Sequence, residues 1–271
     1  MIKRLKIATF SKIIHANTTR MFENIFDWEH LPHVHPSSFS SVRCFHLGAK
    51  SLQCEVGLSP HRLGLKQNIQ VYACEKRLLW IVTIKQGFLK GLTIRSRLTV
   101  LSPSAFRVCI HFFAPLPFFH WFALGPLLWL SYRKIYAEDE AMILTRQREL
   151  DRFKVDSNTP LKSVQRIGLY SEITKKLPYF FSHADRPYLL VMDQGSLKSF
   201  EGRCPHMLRP LQDAPIKNNY LRCPWHGYEF SLTTGHCQQA GLSLIPGPKI
   251  QIVGSEVFVQ SLHIEDQSDE S

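Results

Sequence analysis

The stretch from Cys204 to Phe230, CPHMLRPLQDAPIKNNYLRCPWHGYEF, decides how the rest of the chain is read. It sets Cys204 and His206 on one arm and Cys223 and His226 on another, with sixteen residues between His206 and Cys223. Each arm therefore offers one thiolate and one imidazole. A C2H2 zinc site puts its cysteines on one arm and its histidines on the other, so the mixed arms argue against zinc. A disulfide with two incidental histidines fits an exported chain. The opening MIKRLKIATF is basic but lacks the roughly 7–15-residue apolar run and the cleavage site of a signal peptide, so a reducing cytoplasm is the expected compartment.

A sulfide-bridged pair of irons takes both cysteines on one metal and both histidines on the other, which is the ligand set of a Rieske [2Fe–2S] centre. The motifs Cys204-Pro-His206 and Cys223-Pro-Trp-His226-Gly-x-x-Phe230 resemble the ferredoxin-type Rieske domains of the Rieske non-haem iron oxygenases. One departure is Leu208, where such domains usually carry glycine. The resemblance also bears on potential. High-potential relatives carry an extra cysteine in each arm and hydroxyls around the cluster, whereas this chain has Arg209, Trp225 and Phe230 at those places. Fewer hydrogen bonds to the sulfurs imply the low-potential end of the Rieske range.

A second loaded stretch begins at Met21, MFENIFDWEHLPHVHPSSF. Met21, Phe22, Ile25, Phe26 and Leu31 recur at helical spacing and predict a short helix ended by Pro32. Asp27 and His30 share one face of it, and His35 follows after the break, where a loop can fold it back. Two neutral imidazoles and a carboxylate on one side of an iron leave the other side open for dioxygen. Histidines at a helix end are also common without a metal. Residues Asn24, Asp27, His30 and His35 meet every spacing of the oxygenase pattern Asn-x2-Asp-x2-His-x4-His. The resemblance implies that His30 and His35 bind a mononuclear Fe(II). It implies too that Asp27 bridges His226 and His30 for the electron, and that Asn24 sits beside the iron.

The third ligand is expected on a later helix, about Leu127 to Phe153, whose apolar stripe runs through Ile135, Tyr136, Met142, Ile143 and Leu150. Asp139 falls inside that stripe, and a buried carboxylate needs a cation. A salt bridge would serve as well as iron, but the Glu138-Asp139 pair resembles the acidic start of the oxygenase ligand helix. Glu138 and Glu140 read as solvated. Between the two helices lie strand-like runs at 41–47, 52–58, 69–74, 78–84, 92–100 and 106–113, punctuated by turn residues. An antiparallel sheet around a long helix follows, which resembles the helix-grip (START-like) catalytic domain of these oxygenases; with an all-β Rieske domain after it the chain is α+β. The uncharged run 112–130 is long enough for a membrane span, but its prolines favour a loop lining the entrance or dipping into a membrane interface.

The expected layout is a catalytic domain at 1–155, a polar linker at 156–163, the Rieske domain at 164–262 and an acidic tail at 263–271. This reverses the usual domain order of the family. With 33 basic against 22 acidic residues the net charge is +11, which suits acidic partners. A ferredoxin or flavin reductase as electron donor fits, as does an anionic membrane surface; no nucleic-acid motif stands out. An apolar small molecule is the expected substrate and a homo-oligomer is in keeping with the resemblance. Cys44, Cys54, Cys74, Cys109 and Cys237 read as buried small side chains. The alternative reading is a Rieske electron-transfer module fused to a lipid carrier without mononuclear iron.

Overall fold

Apolar residues alternate along most of the first 115 positions, and period-2 patterning of that kind folds as strands with one buried face. The computed structural model describes residues 4–115, 120–156 and 164–260. In order come β1 (Arg4–Ile14), α1 (Thr18–Phe26), a 3-10 turn at Trp28–His30 and α2 (Leu31–Val34). Then follow β2 (Phe39–Gly48), β3 (Ser51–Leu58), β4 (Lys66–Cys74), β5 (Leu79–Gly87), β6 (Thr93–Ser102), β7 (Ala105–Pro115) and α3 (His120–Asp156). The seven strands form one antiparallel sheet in the order β1-β7-β6-β5-β4-β3-β2. Five hairpins make β2 to β7, and β1 returns to pair with β7.

The first strand was not foreseen. A bulge between Lys6 and Ala8 shifts its pairing with β7, so the inward positions change from odd to even and the alternation does not read cleanly. Phe10 and Ile14 of β1 are buried with Phe106, Val108, Ile110 and Phe112 of β7, and with Leu128, Tyr136 and Ile143 of α3. Phe10 meets Tyr136 and Phe112 meets Tyr132, at ring separations of 5.5 and 4.7 Å. The sheet thus grips the long helix, and the α+β helix-grip architecture expected for this half is what forms.

Three expectations are corrected. The first helix does not run to Pro32; α1 ends at Asp27, whose φ and ψ of -83° and 71° leave the helical region. Pro32 instead sits in the first turn of α2, where its missing N–H removes no intrahelical bond. The described parts of the 112–130 run are not a loop: its first residues end β7, and α3 begins at His120 and carries Pro126 inside it. The preceding Gly125 explains part of this, since a Cβ there would lie 2.6 Å from the Ile7 carbonyl oxygen. Residues 116–119 lie outside the described residues, as do 157–163 of the expected linker and the expected tail. Lastly, of the five cysteines expected to be buried only Cys54 is, the others being half-buried.

The chain divides into compact units Met1–Gln147 and Arg148–Ser271. The second contains β8 (Val164–Leu169), α4 (Tyr170–Thr174), β9 (Tyr179–His183), β10 (Arg186–Asp193), β11 (Ser196–Glu201), β12 (Ile216–Lys217), β13 (Tyr220–Arg222), β14 (Glu229–Ser231), β15 (Lys249–Val253) and β16 (Glu256–Gln260). They form three small antiparallel sheets, β11-β10-β9, β12-β13-β14 and β15-β16-β8. Within this unit Arg203 is buried with Glu149 and Glu201, its Nε donating to Glu149 at 2.6 Å and its Nη1 to Glu201 at 2.9 Å. No helix among the described residues is long and apolar enough to cross a membrane.

Candidate metal centre and Rieske cluster site

The break at Asp27 turns the chain so that His30, at the end of the 3-10 turn, and His35, just after α2, face the middle of α3. There Asp139 is buried, and one ligand atom from each of His30, His35 and Asp139 lies within 4.8 Å of the others. His35 Nε2 is 3.0 Å and His30 Nε2 3.5 Å from Asp139 Oδ1, and Asn24 Nδ2 donates to that oxygen at 3.2 Å. Two imidazoles and one carboxylate converging in a buried pocket form a donor set suited to Fe(II).

The outer nitrogens are engaged as metal-binding histidines require. His30 Nδ1 faces the Asp27 carbonyl and also lies 3.5 Å from its carboxylate. His35 Nδ1 lies 2.7 Å from Glu138 Oε2. Acceptors at both Nδ1 atoms hold the protons there and leave the Nε2 atoms facing Asp139, free to bind a metal once deprotonated, so these residues fit a metal. Without an ion the cluster compensates by ionic pairing. Burial alone would lower the His30 pKa, yet Asp139 and Asp27 push it up to about 10. Burial would likewise raise Asp139, and hydrogen bonds from His30 and His35 hold it well below the usual carboxylate range.

Glu138 is the residue that sequence reasoning missed. It was expected to be solvated but is only partly exposed and orients His35. The usable signal was its place beside Asp139, together with the acceptor that a ligating histidine needs at its outer nitrogen. Glu140, by contrast, turns away to pair with Lys12 at 2.7 Å.

The triad opens on a cavity of about 520 Å³ lined mostly by apolar side chains, among them Ile69, Val71, Trp80, Ile84 and Leu128. Leu65, Phe88 and Leu127 line it too, although they are 39%, 74% and 58% exposed, which gives it an apolar rim.

In the second unit the two cysteine arms are folded alike. The Leu208 N–H donates to the Cys204 carbonyl and the Gly227 N–H to the Cys223 carbonyl, both at 2.9 Å. The Cys204 and Cys223 N–H groups donate to the carbonyls of Arg209 and Tyr228, both at 2.8 Å. Leu208 and Gly227 are therefore equivalent positions, and both are left-handed, with φ of 59° and 69°. The departure noted at Leu208 is thus a leucine in a conformation that favours glycine. The two thiols are buried and hydrogen-bonded to each other. That bond and burial push Cys204 up, and the same bond draws Cys223 down to about 5. The His206 and His226 rings approach edge to face, Nδ1 to Nδ1 at 3.3 Å. Two adjacent sulfurs and two adjacent imidazole nitrogens match the division of ligands between the irons of the cluster.

This segment, residues 163–243, matches the family described as the Rieske [2Fe-2S] domain. Residues 163–243 are a Rieske domain. Arg209 and Trp225, which stand where high-potential Rieske proteins carry the extra cysteines, are in cation–π contact at 5.9 Å, so the two arms are joined there without a disulfide. The chain is similar to human apoptosis-inducing factor 3, 32% identical over 74 residues, which is 27% of this chain and 12% of that protein. It is similar also to the chloroplastic pheophorbide a oxygenase of Arabidopsis thaliana, 28% identical over 92 residues, 33% of this chain and 17% of that one. The chain thus spans less than a fifth of the length of these curated relatives. Among solved structures, a START superfamily protein from Mycobacterium smegmatis is 16% identical and aligns with a TM-score of 0.35, covering 52% of this chain and 93% of that one.

Proposed function

We propose that this chain is an oxygenase that uses its Rieske domain and a mononuclear Fe(II) to oxidise an apolar organic substrate by hydroxylation, demethylation or desaturation. The convergence of His30, His35 and Asp139 on the wall of an apolar cavity carries this reading. Similarity of the Rieske region to a named oxygenase is in keeping with it. When bound, the cluster supplies single electrons and the Fe(II) supplies activation of dioxygen.

The chain's own residues do the rest. Asp27 and Glu138 hold the two imidazoles by their Nδ1 atoms, and Asn24 fixes the Asp139 carboxylate. Asp27 is assigned the further role of relaying the electron from His226 to His30. The apolar lining excludes water and admits a lipophilic molecule through the rim at Leu65, Phe88 and Leu127. A ferredoxin or flavin reductase is the proposed donor, drawn to a chain of net charge +11. The same rim suits contact with a membrane surface.

Iron analysis tests the proposal. About three irons per chain are expected, two for the cluster and one for the triad. A value of two with full cluster absorption points instead to a Rieske electron carrier fused to an apolar-ligand module. Asp27→Ala should leave the cluster spectrum intact while abolishing substrate-coupled oxygen consumption, and unchanged turnover would remove its relay role.

A further inference from the structure

Away from the triad, the cavity wall carries several polar side chains that the metal chemistry does not use, among them Gln67. Gln67 on β4 shares the inward face with Ile69 and Val71, is 1% exposed and lines the cavity. Its Oε1 accepts the Leu89 N–H at 3.2 Å. An N–H can only donate, so this bond fixes which end of the amide is oxygen and places the NH2 group on the other side. Gly87, with φ of 104°, keeps the space over that amide clear, for a Cβ there would lie 2.5 Å from Oε1. Gln67 Nε2 is buried and has no hydrogen-bond partner among the described residues. A buried donor left unmet is costly, about 1–3 kcal/mol, and native sites rarely keep one without use.

We propose that Gln67 recognises an uncharged hydrogen-bond acceptor, such as a ketone or ether oxygen, on an otherwise apolar substrate. This rests on reading the cavity as the substrate site. The acceptor is neutral because, among the described residues, the cavity lining includes no lysine or arginine, although the chain has 33 of them. A carboxylate buried beside Gln67 would lack the lysine or arginine counter-charge that its burial requires. The triad side chains come from the α1–α2 segment and α3, whereas Gln67 comes from the sheet. Its bond therefore gives the substrate an anchor separate from the metal centre and limits which carbon is presented to it. Gln67 is a specificity residue on this view.

The test compares 9-fluorenone with fluorene, which match in shape and differ by the carbonyl. Binding to the full-length, cluster-loaded protein is read under argon by quenching of tryptophan emission, Trp28 and Trp80 both lining the cavity. In the wild type the ratio of the fluorene to the fluorenone Kd should exceed that in Gln67→Met by about fivefold, one ordinary hydrogen bond. The carbonyl stretch of bound fluorenone, read by Raman scattering on the wild type, should move to lower frequency and return in the variant. That reading decides the matter on wild-type protein even if the variant does not fold. An unshifted carbonyl, or a ratio unaffected by the substitution, overturns the role of Gln67 and leaves the oxygenase reading to its own iron and oxygen measurements. Failure of the wild type to bind either compound overturns both this inference and the reading of the cavity as a substrate site.

Discussion

Replacing Glu138 by glutamine asks whether the outer shell of the triad controls the metal. In the structure the Glu138 carboxylate takes the Nδ1 proton of His35 at 2.7 Å, and His35 is fully buried. Water therefore has little access to replace that acceptor. A charge-assisted bond of this length holds the ring and keeps the Nε2 lone pair turned toward Asp139. Outer partners of this kind change metal affinity by about 10–100-fold, equivalent to about 1.4–2.8 kcal/mol. The amide keeps the size of the side chain, so folding should be unaffected. Fe(II) affinity would be measured by competition with a coloured chelator, with the cluster's visible absorption as an internal standard. Glu140→Gln is the control: it lies two residues on, pairs with Lys12 and should leave affinity unchanged. A loss of less than about twofold for Glu138→Gln, or equal losses for both variants, would show that the orientation argument is wrong.

Further outcomes follow from the same geometry. Arg203→Met takes the arginine from the buried Glu201 carboxylate and leaves Glu149 only its pairing with Arg152, and should cost about 3–5 kcal/mol, seen as a lower midpoint in denaturant unfolding followed through cluster absorption. Leu208→Gly relieves a left-handed leucine costing about 1–2 kcal/mol, partly offset by about 0.5–1 kcal/mol of added backbone freedom in the unfolded chain, so a small rise in Tm is expected. In iron-free protein His30 is raised from 6.5 to about 10, so its ion pair stabilises fully below pH 6.5 and is lost as pH rises through 10. Metal must expel that proton, so apparent Fe(II) affinity should climb by up to about tenfold per pH unit in that window, as read by chelator competition across buffers.

Much of this was legible beforehand because strong chemistry leaves fixed spacings. Cys204, His206, Cys223 and His226, the two histidines at the break and the aspartate on α3 stand out because packing alone does not explain residues of those types at those spacings. Six of the seven strands in the first sheet also announce themselves by alternation. What escaped notice depends on tertiary context. The bulge in β1 hides its period, and the close approach of Gly125 to Ile7 makes sense of a glycine and a proline inside a helix. Pro32 reads as a stop until Asp27 is seen to have ended α1 already. Glu138 looks like any helix-surface acid until His35 is placed opposite it.

The pairing of β1 with β7 has a practical side. Starting the protein at α1 would appear harmless, because His30, His35, Asp139 and both Cys/His arms would survive. It would instead bare the backbone edge of β7 and uncover Ile110 and Phe112, making a sticky strand ready to stack with other chains. Trimmed versions should precipitate while keeping His30, His35, Asp139 and both Cys/His arms, so β1 acts as a solubility guard for this half of the chain.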